Sequence, residues 1–234
     1  MGNLEKIDTR KTVNHTIIVN SLEDVKKDRE ENVVYLLEAT EDIVQDVANS
    51  SEKVYIPSTS LTSVDTKTET YVYFELESYP FFQNFKKLVN QQKQTKGVLR
   101  FRRVMLEENS SIMASDLYVL SSTFGAVESV HVKQSKRQAG LRHTILLVYF
   151  GSGIMSHIEY TVANEERIEL ELSGIKSIVE FNSDHMKPIQ AQSKTRLPLS
   201  YTADEIIASS RKVDGKLIKQ LQEIRQLIEG GDSA

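Results

Sequence analysis

The sequence contains no cysteine, and it contains no glycine between Asn3 and Lys96. The missing cysteine excludes disulfide bonds, thiolate metal sites and a cysteine nucleophile, and it is typical of a protein that works in a reducing compartment. The missing glycines bear on dinucleotide binding. A pyrophosphate normally lies on a glycine-rich turn, whose backbone N–H groups approach it without an intervening Cβ. Such a turn cannot form between these two residues.

Strong charge and long apolar segments are also absent. The chain of 234 residues has a formal net charge of −4, so no global attraction toward nucleic acid or an anionic membrane is expected. Its apolar runs are too short to cross a bilayer, and its polar N-terminus does not resemble a signal peptide. The five histidines show no metal-ligand spacing, so we expect no metal site. We predict a cytoplasmic protein with neither nucleic acid nor a membrane among its partners.

Residues 1–90 alternate short apolar runs with polar helical segments. The segments 15–19, 33–37, 54–56 and 71–76 indicate strands, whereas 21–31, 41–49 and 81–92 indicate helices. The run VVYLL at 33–37 is apolar throughout, which is typical of a strand buried on both faces of a parallel sheet. We therefore predict an incomplete Rossmann-like α/β region that lacks the dinucleotide-binding loop.

Residues 91–234 show a different pattern. A long strand at 97–105 and a helix at 112–124 are followed by strands at 127–133, 142–150, 154–162, 167–173 and 177–181. A capping box at 202–205 and an amphipathic helix at 216–229 close the chain. The short connections favour antiparallel pairing. The predicted class is thus α+β, in which the second domain is a large, predominantly antiparallel sheet covered by helices.

Five segments in this order carry a resemblance to a known family. They are 85–88 with 97–103 (FKKL, GVLRFRR), 116–125 (DLYVLSSTFG), 147–153 (LVYFGSG), 168–174 (IELELSG) and 224–230 (IRQLIEG). Together they resemble the Gfo/Idh/MocA family of NAD(P)-dependent sugar and polyol oxidoreductases. The resemblance covers the chain from about residue 70 to the end. It implies an N-terminal Rossmann domain followed by a sheet domain.

The chain departs from that family at the cofactor-binding loop and at the catalytic positions. Its glycine-rich loop has no counterpart here, as if the chain began in the middle of the Rossmann half. The family's Glu and Lys correspond to Tyr55 and Ile56, and its substrate-site Asp and His correspond to Ser111 and Ser115. None of these four side chains can act as a general acid or base near neutral pH. With Asp116 they form a candidate pocket, expected to be mildly apolar, and the pattern indicates a truncated, degenerate member.

Two functional hypotheses follow. The departures favour a non-catalytic scaffold that senses a small, sugar-like ligand or binds a protein partner, with no cofactor and no catalytic residues. The alternative is an NAD(P)-dependent sugar or polyol oxidoreductase whose cofactor site is altered or shared between subunits. NAD or NADP is expected only under that alternative.

The strand at 142–150 is apolar on both faces, and one sheet covered on one side would expose a large patch. We therefore predict a homodimer formed through residues 98–104 and 142–172. Arg100 and Arg102 share a face of their strand, where they either bind an anion or form ion pairs. The candidate interface residues are Arg100, Arg102, Leu147, Tyr149, Met155, Ile158 and Tyr160.

Overall fold

The structure is a computed structural model. It describes residues 15–18, 33–36, 54–63, 70–91, 96–107, 109–135, 143–174, 178–182, 184–186, 194–196 and 199–230. The chain divides into two compact units. The first unit comprises residues 1–82 and 200–219, and the second comprises 83–199 and 220–234. Sequence patterns predicted one boundary, at 90/91, whereas in the structure the segment 200–219 returns to the first unit.

The described residues form the following elements in chain order. The strands are β1 His15–Ile18, β2 Val33–Leu36, β3 Val54–Pro57, β4 Thr70–Tyr73, β5 Gly97–Met105, β6 Val127–Gln134, β7 His143–Phe150, β8 Met155–Val162, β9 Arg167–Gly174, β10 Ile178–Asn182, β11 Asp184–Met186, β12 Lys194–Arg196 and β13 Arg211–Lys212. The helices are α1 Glu75–Ser78, α2 Pro80–Gln91, α3 Ser110–Phe124, α4 Ala203–Ser209 and α5 Gly215–Glu229, and a 3-10 helix spans Ser58–Ser63. The helices expected at 21–31 and 41–49 lie outside the described residues.

The first unit contains two parallel strand pairs. β1 pairs with β2, and β3 pairs with β4. β13 adds an antiparallel strand on the other side of β4. Parallel strands require a connection of about a dozen residues or more, and the chain between the paired strands, 19–32 and 58–69, is long enough for one. Parallel pairing of strands that follow each other in the chain is the α/β pattern expected of this region.

The second unit is built on a six-stranded sheet with the order β10-β9-β5-β8-β7-β6. β5 and β8 run parallel, and the other neighbouring pairs are antiparallel. This confirms the predicted α+β class with a predominantly antiparallel sheet. Gly97 at the start of β5 is required by close packing, because a Cβ there would lie 2.2 Å from the carbonyl oxygen of Ser173.

The sheet has one buried face and one open face. In β7 the even-numbered side chains are buried, while Leu147 and Tyr149 on the other side are exposed. α3 packs against the buried face, where the Phe124 ring lies 5.8 Å from that of Phe150. α3 begins two residues earlier than predicted because the Asn109 side chain accepts hydrogen bonds from the first-turn N–H groups. It ends at Gly125, whose φ of 91° suits glycine.

Candidate functional site

The residues predicted to form one pocket belong to both units. Tyr55 and Ile56 lie on β3 in the first unit, and Ser111, Ser115 and Asp116 lie on α3 in the second. Ile56 is 5% exposed, and the Tyr55 ring stacks on that of a half-buried neighbour, Tyr71, at 5.3 Å. A pocket formed jointly by both sets stays a prediction.

On α3, the polar side chains already have partners. The Ser111 hydroxyl accepts a hydrogen bond from Nη2 of Arg225 at 3.2 Å, and Ser115 is buried. Asp116 forms a buried ion pair with Arg103 of β5, in which Nη1 donates to Oδ1 at 3.0 Å and to Oδ2 at 3.3 Å. The Tyr160 hydroxyl donates to the same Oδ2 at 3.3 Å. Asp116 is therefore engaged in holding α3 on the sheet.

Tyr160 is held in its neutral form. Burial raises the pKa of its hydroxyl well above the ordinary value, and the negative charge of Asp116 raises it further, against the opposing effect of Arg103. A phenol of this kind donates a hydrogen bond across the whole physiological pH range but does not deprotonate. The group formed by Arg103, Asp116 and Tyr160 is a structural polar cluster in the core of the second unit.

A second polar cluster lies in the first unit, at the carboxyl ends of two parallel strands. β3 is followed directly by the buried Ser58, and β4 is followed by Phe74 and Glu75. The register pairs Pro57 with Tyr73, so both strands end at the same edge of the sheet. In open α/β sheets this edge is where ligands bind. We call Tyr73, Glu75, Tyr79 and Tyr201 the carboxyl-edge cluster.

The carboxyl-edge cluster is closely packed. The Tyr79 hydroxyl donates to Oε1 of Glu75 at 2.5 Å, and its ring meets that of Tyr201 at 5.4 Å in an edge-on arrangement. Burial raises the pKa of Tyr73 to about 12, and the Glu75 charge adds to this while a hydrogen bond with Tyr201 opposes it. The neutral hydroxyl groups of Tyr73 and Tyr79 thus lie near the Glu75 carboxylate. Tyr79 is buried, as in ordinary core packing, and sequence analysis did not link these aromatic residues to Glu75.

The predicted interface residues divide between the two faces of the sheet. Ile158 and Tyr160 are buried beneath the sheet's covered face, at 0% and 2% exposure. Leu147, Tyr149 and Met155 are exposed on the open face, as are the two arginines of β5. Only this exposed subset is available to a partner.

Ion pairs cross the open face. Arg100 lies 3.6 Å from Glu171, and Arg102 lies 3.1 Å from Glu159 and 3.6 Å from Glu169. Of the two interpretations of these arginines, the structure favours the ion-paired face. A shallow depression of about 240 Å³ follows the same strands, lined largely by these charged residues and His157.

Neither a metal centre nor a membrane segment is found in the described part of the chain. No group of three or more histidine, aspartate or glutamate side chains there is arranged to hold a metal ion. Likewise, no helix among the described residues is long and apolar enough to span a membrane.

Comparison with known proteins finds similarity in fold and not in sequence. No protein-family model and no curated protein matches the chain. Among solved structures, myo-inositol 2-dehydrogenase from Lactobacillus plantarum matches with a TM-score of 0.53 at 13% identity, over 92% of this chain and 75% of its own. Myo-inositol dehydrogenase from Corynebacterium glutamicum matches with a TM-score of 0.51 at 11% identity, over 92% and 75%. GenD2 from gentamicin A biosynthesis, solved in complex with NAD, matches with a TM-score of 0.51 at 10% identity, over 93% and 74%.

The fold is therefore that of the dehydrogenases to which the sequence motifs pointed. The resemblance to the Gfo/Idh/MocA type is confirmed at the level of fold, and truncation and degeneracy stay predictions. The expectation, drawn from the sequence, that the chain binds no cofactor is wrong for this fold. GenD2, which shares the fold, was solved in complex with NAD. Sequence reasoning had weighed the missing glycines above the overall architecture.

Proposed function

We propose that this chain is an NAD(H)-dependent oxidoreductase that acts on a hydroxyl group of a cyclic polyol or sugar, through an altered cofactor site. The observation that carries the proposal is the fold match, which extends over more than nine-tenths of the chain and so includes both units. Two of the matched proteins are inositol dehydrogenases, and the third was solved in complex with NAD. A cyclic polyol is accordingly the substrate class to test first.

The described residues fit the cofactor in topology but not in glycine content. Parallel strands with crossovers, as in β1–β2 and β3–β4, form the framework on which dinucleotides bind. Every residue between Asn3 and Lys96 carries a Cβ, so no glycine turn for the pyrophosphate can form within that stretch. The proposal therefore requires other donors, either polar side chains and helix N-termini of this chain or groups from a second subunit.

Glu75 is the residue to which we assign proton transfer from the substrate hydroxyl. It is half-buried, follows β4 directly at the carboxyl edge, and accepts the Tyr79 hydroxyl bond that fixes its orientation. The family's acid–base positions are occupied here by Ile56, Ser111 and Ser115, which leaves proton transfer to another group. A carboxylate in hydrogen-bond reach of a substrate hydroxyl can accept its proton. A bound NAD would supply the acceptor for the hydride.

The proposal is tested in two steps. Titration of the chain into NADH, followed by nicotinamide fluorescence, is expected to give saturable enhancement in the micromolar range. Incubation with NAD and a panel of inositols and sugars is then expected to form reduced nicotinamide. Failure of both NADH and NADPH to bind below millimolar concentration would contradict the proposal.

Variants separate binding from turnover. Glu75→Gln should lose at least about 100-fold in turnover, the range expected for a general base, while NADH binding is retained. Glu171→Gln, a half-buried carboxylate on the open face of the second unit, is the matched control and should keep full turnover. Equal activity in both variants would exclude Glu75 as the base.

A non-catalytic ligand-binding role is the second candidate. It is favoured by the absence of titratable side chains at Ile56, Ser111 and Ser115. Micromolar NADH binding without turnover of any polyol in the panel would select this role over the oxidoreductase. Thermal shifts across the same panel would then identify the ligand, because any ligand of the native state raises the apparent stability.

A further inference from the structure

The helix α1, which carries Glu75, is too short to keep its position by itself. It consists of a single turn, Glu75–Ser78, and the residue at its N-cap, Phe74, makes no side-chain hydrogen bond to the helix. A helical turn of this length is unstable in water unless its surroundings hold it, because nucleation costs more backbone entropy than one turn of hydrogen bonds offsets. The orientation of Glu75 therefore depends on the contacts that α1 makes with other parts of the first unit.

Two of those contacts come from residues 200–219, the segment that returns to the first unit. On α4, the Ser209 hydroxyl lies at hydrogen-bond distance, 3.1 Å, from the Ser78 hydroxyl. On β13, Nη2 of Arg211 lies 2.5 Å from Oε2 of Glu77. α1 is thus linked through its side chains to both α4 and β13.

The second of these links is an ion pair with one buried member. The Glu77 side chain is 4% exposed, and that of Arg211 is 30% exposed. A carboxylate removed from water to this extent needs a cation beside it, because its charge is otherwise left uncompensated. The Arg211 guanidinium also lies over the ring of Phe74, 5.1 Å from the ring centre, in the arrangement of a cation–π contact. One side chain therefore holds the residues at positions 74 and 77, on either side of Glu75 in the chain.

The backbone around Arg211 is itself fixed to the strand that precedes α1. Arg211 pairs with Val72 of β4, and the N–H of Val213 donates to the carbonyl oxygen of Thr70 at 2.9 Å. Arg211 therefore reaches α1 from a strand that is hydrogen-bonded to β4. The end of β4 and the helix that follows it are held in a fixed relation by this arrangement.

We propose that Arg211 is a positioning residue for Glu75. By holding Phe74 and Glu77, its guanidinium keeps α1 in the orientation that presents the Glu75 carboxylate at the carboxyl edge. The role in catalysis rests on the proposed function, in which Glu75 accepts the substrate proton, whereas the hold on α1 does not. A misplacement of about 1 Å in a catalytic group costs up to about 100-fold in rate, so a loosened α1 should slow turnover without preventing the cofactor from binding.

The first experiment measures how firmly α1 is held and requires no activity. Hydrogen exchange is followed at the Ser78 N–H, which donates to the Phe74 carbonyl oxygen at 3.1 Å. Arg211→Met should raise the exchange rate of this amide at least about 10-fold, because local opening of α1 becomes easier. Lys212→Met, at the exposed neighbouring position of β13, is the matched control and should leave that rate unchanged.

Two more variants allow for the effect of the buried charge. Arg211→Lys keeps a cation but not the planar guanidinium, so its exchange rate at Ser78 should lie between those of the wild type and Arg211→Met. Arg211→Met combined with Glu77→Gln removes both charges, so no carboxylate stays buried without this cation, and the Ser78 amide should still exchange faster than in the wild type. An unchanged Ser78 rate in folded Arg211→Met, or in the double variant where the single variant does not fold, would overturn the proposal.

The second experiment measures turnover of the inositol or sugar that the wild-type chain oxidises. Arg211→Met should lower kcat about 10- to 100-fold, while KM for this substrate and Kd for NADH change by less than about two-fold. In a Glu75→Gln background, Arg211→Met should lower kcat no further, because the group that it positions is already absent. A purely structural role would instead lower kcat by the same factor in both backgrounds, and that result would overturn the assignment.

Failure of this inference is distinguishable from failure of the proposed function. A wild-type chain without turnover would contradict the proposed function and the catalytic role of Arg211 with it. The exchange rate of the Ser78 amide would still decide whether Arg211 holds α1.

Discussion

Asp116→Asn tests whether the buried ion pair fixes α3 to the sheet. The Arg103 and Asp116 side chains are 5% and 2% exposed, and their closest nitrogen and oxygen atoms are 3.0 Å apart. At an effective dielectric constant of about 20, unit charges at that distance attract by roughly 5 kcal/mol. The cost of removing both charges from water offsets most of this attraction, so the net contribution of the intact pair is small.

Asp116→Asn alone should lower the free energy of unfolding by much more than the small net contribution of the intact pair. An asparagine in place of the Asp116 carboxylate keeps the volume but removes the negative charge that lies against the buried Arg103 guanidinium. We expect Asp116→Asn to lower the free energy of unfolding by about 3–5 kcal/mol, the range for breaking a buried pair from one side. The measurement is urea denaturation followed by far-ultraviolet circular dichroism and tyrosine fluorescence, with agreement between the two signals as the check on a single transition.

Two further variants make the result decisive. Arg103→Met combined with Asp116→Leu removes both charges and should recover part of the lost stability, because no charge of the pair stays buried alone, although the Tyr160 hydroxyl loses its acceptor. Arg102→Met, on the open face with its side chain 46% exposed, should change stability by no more than about 1 kcal/mol. If Asp116→Asn costs no more than Arg102→Met, the cluster does not hold the helix.

Three other perturbations test the fold and the carboxyl-edge cluster. The pKa of Tyr73 rises from 10.0 to about 12 on folding, so the neutral form is favoured in the native state. The free energy of unfolding should therefore fall between about pH 10 and 12, because Tyr73 ionises first in the unfolded chain. Alkaline denaturation of Tyr73→Phe should show a smaller fall over this range, and an equal fall would contradict the reasoning. Gly97→Ala should destabilise the sheet by more than about 1 kcal/mol in urea, because the added Cβ overlaps the Ser173 carbonyl, and a neutral effect would show that β5 relaxes. Thr202→Ala removes the hydrogen bond to the Glu205 N–H in a complete capping box and should cost about 1 kcal/mol by the same assay, whereas no loss would mean that α4 is held by packing alone.

Several strands of the second unit could be predicted closely from sequence because polar and apolar side chains alternate along them. In β9, Ile168, Leu170 and Leu172 alternate with Glu169 and Glu171, and period-two alternation is the most direct strand signal. Short turns then imply antiparallel pairing. The parallel pairing of β5 with β8 could not be predicted, since it joins strands far apart in sequence and depends on how the whole sheet assembles.

The candidate site was predicted less well because its interactions are not local. The sequence placed Arg100 and Arg102 on one face of their strand, and the same alternation puts Arg103 on the other. Nothing in the local pattern linked Arg103 to Asp116, which lies on a separate helix. The link between Glu75 and Tyr79 spans one helical turn and was accessible, but nothing in the pattern distinguished it from ordinary aromatic packing. The return of residues 200–219 to the first unit had no local signal at all.

The arginines of β5 lie in two different environments, and these differ in how much a substitution there would cost. Arg103 points to the covered face, where removing its partner leaves a charge in the core, so this position tolerates little change. Arg100 and Arg102 point to the open face, where each forms a solvent-exposed ion pair with a glutamate. Such exposed pairs contribute little to the stability of the fold.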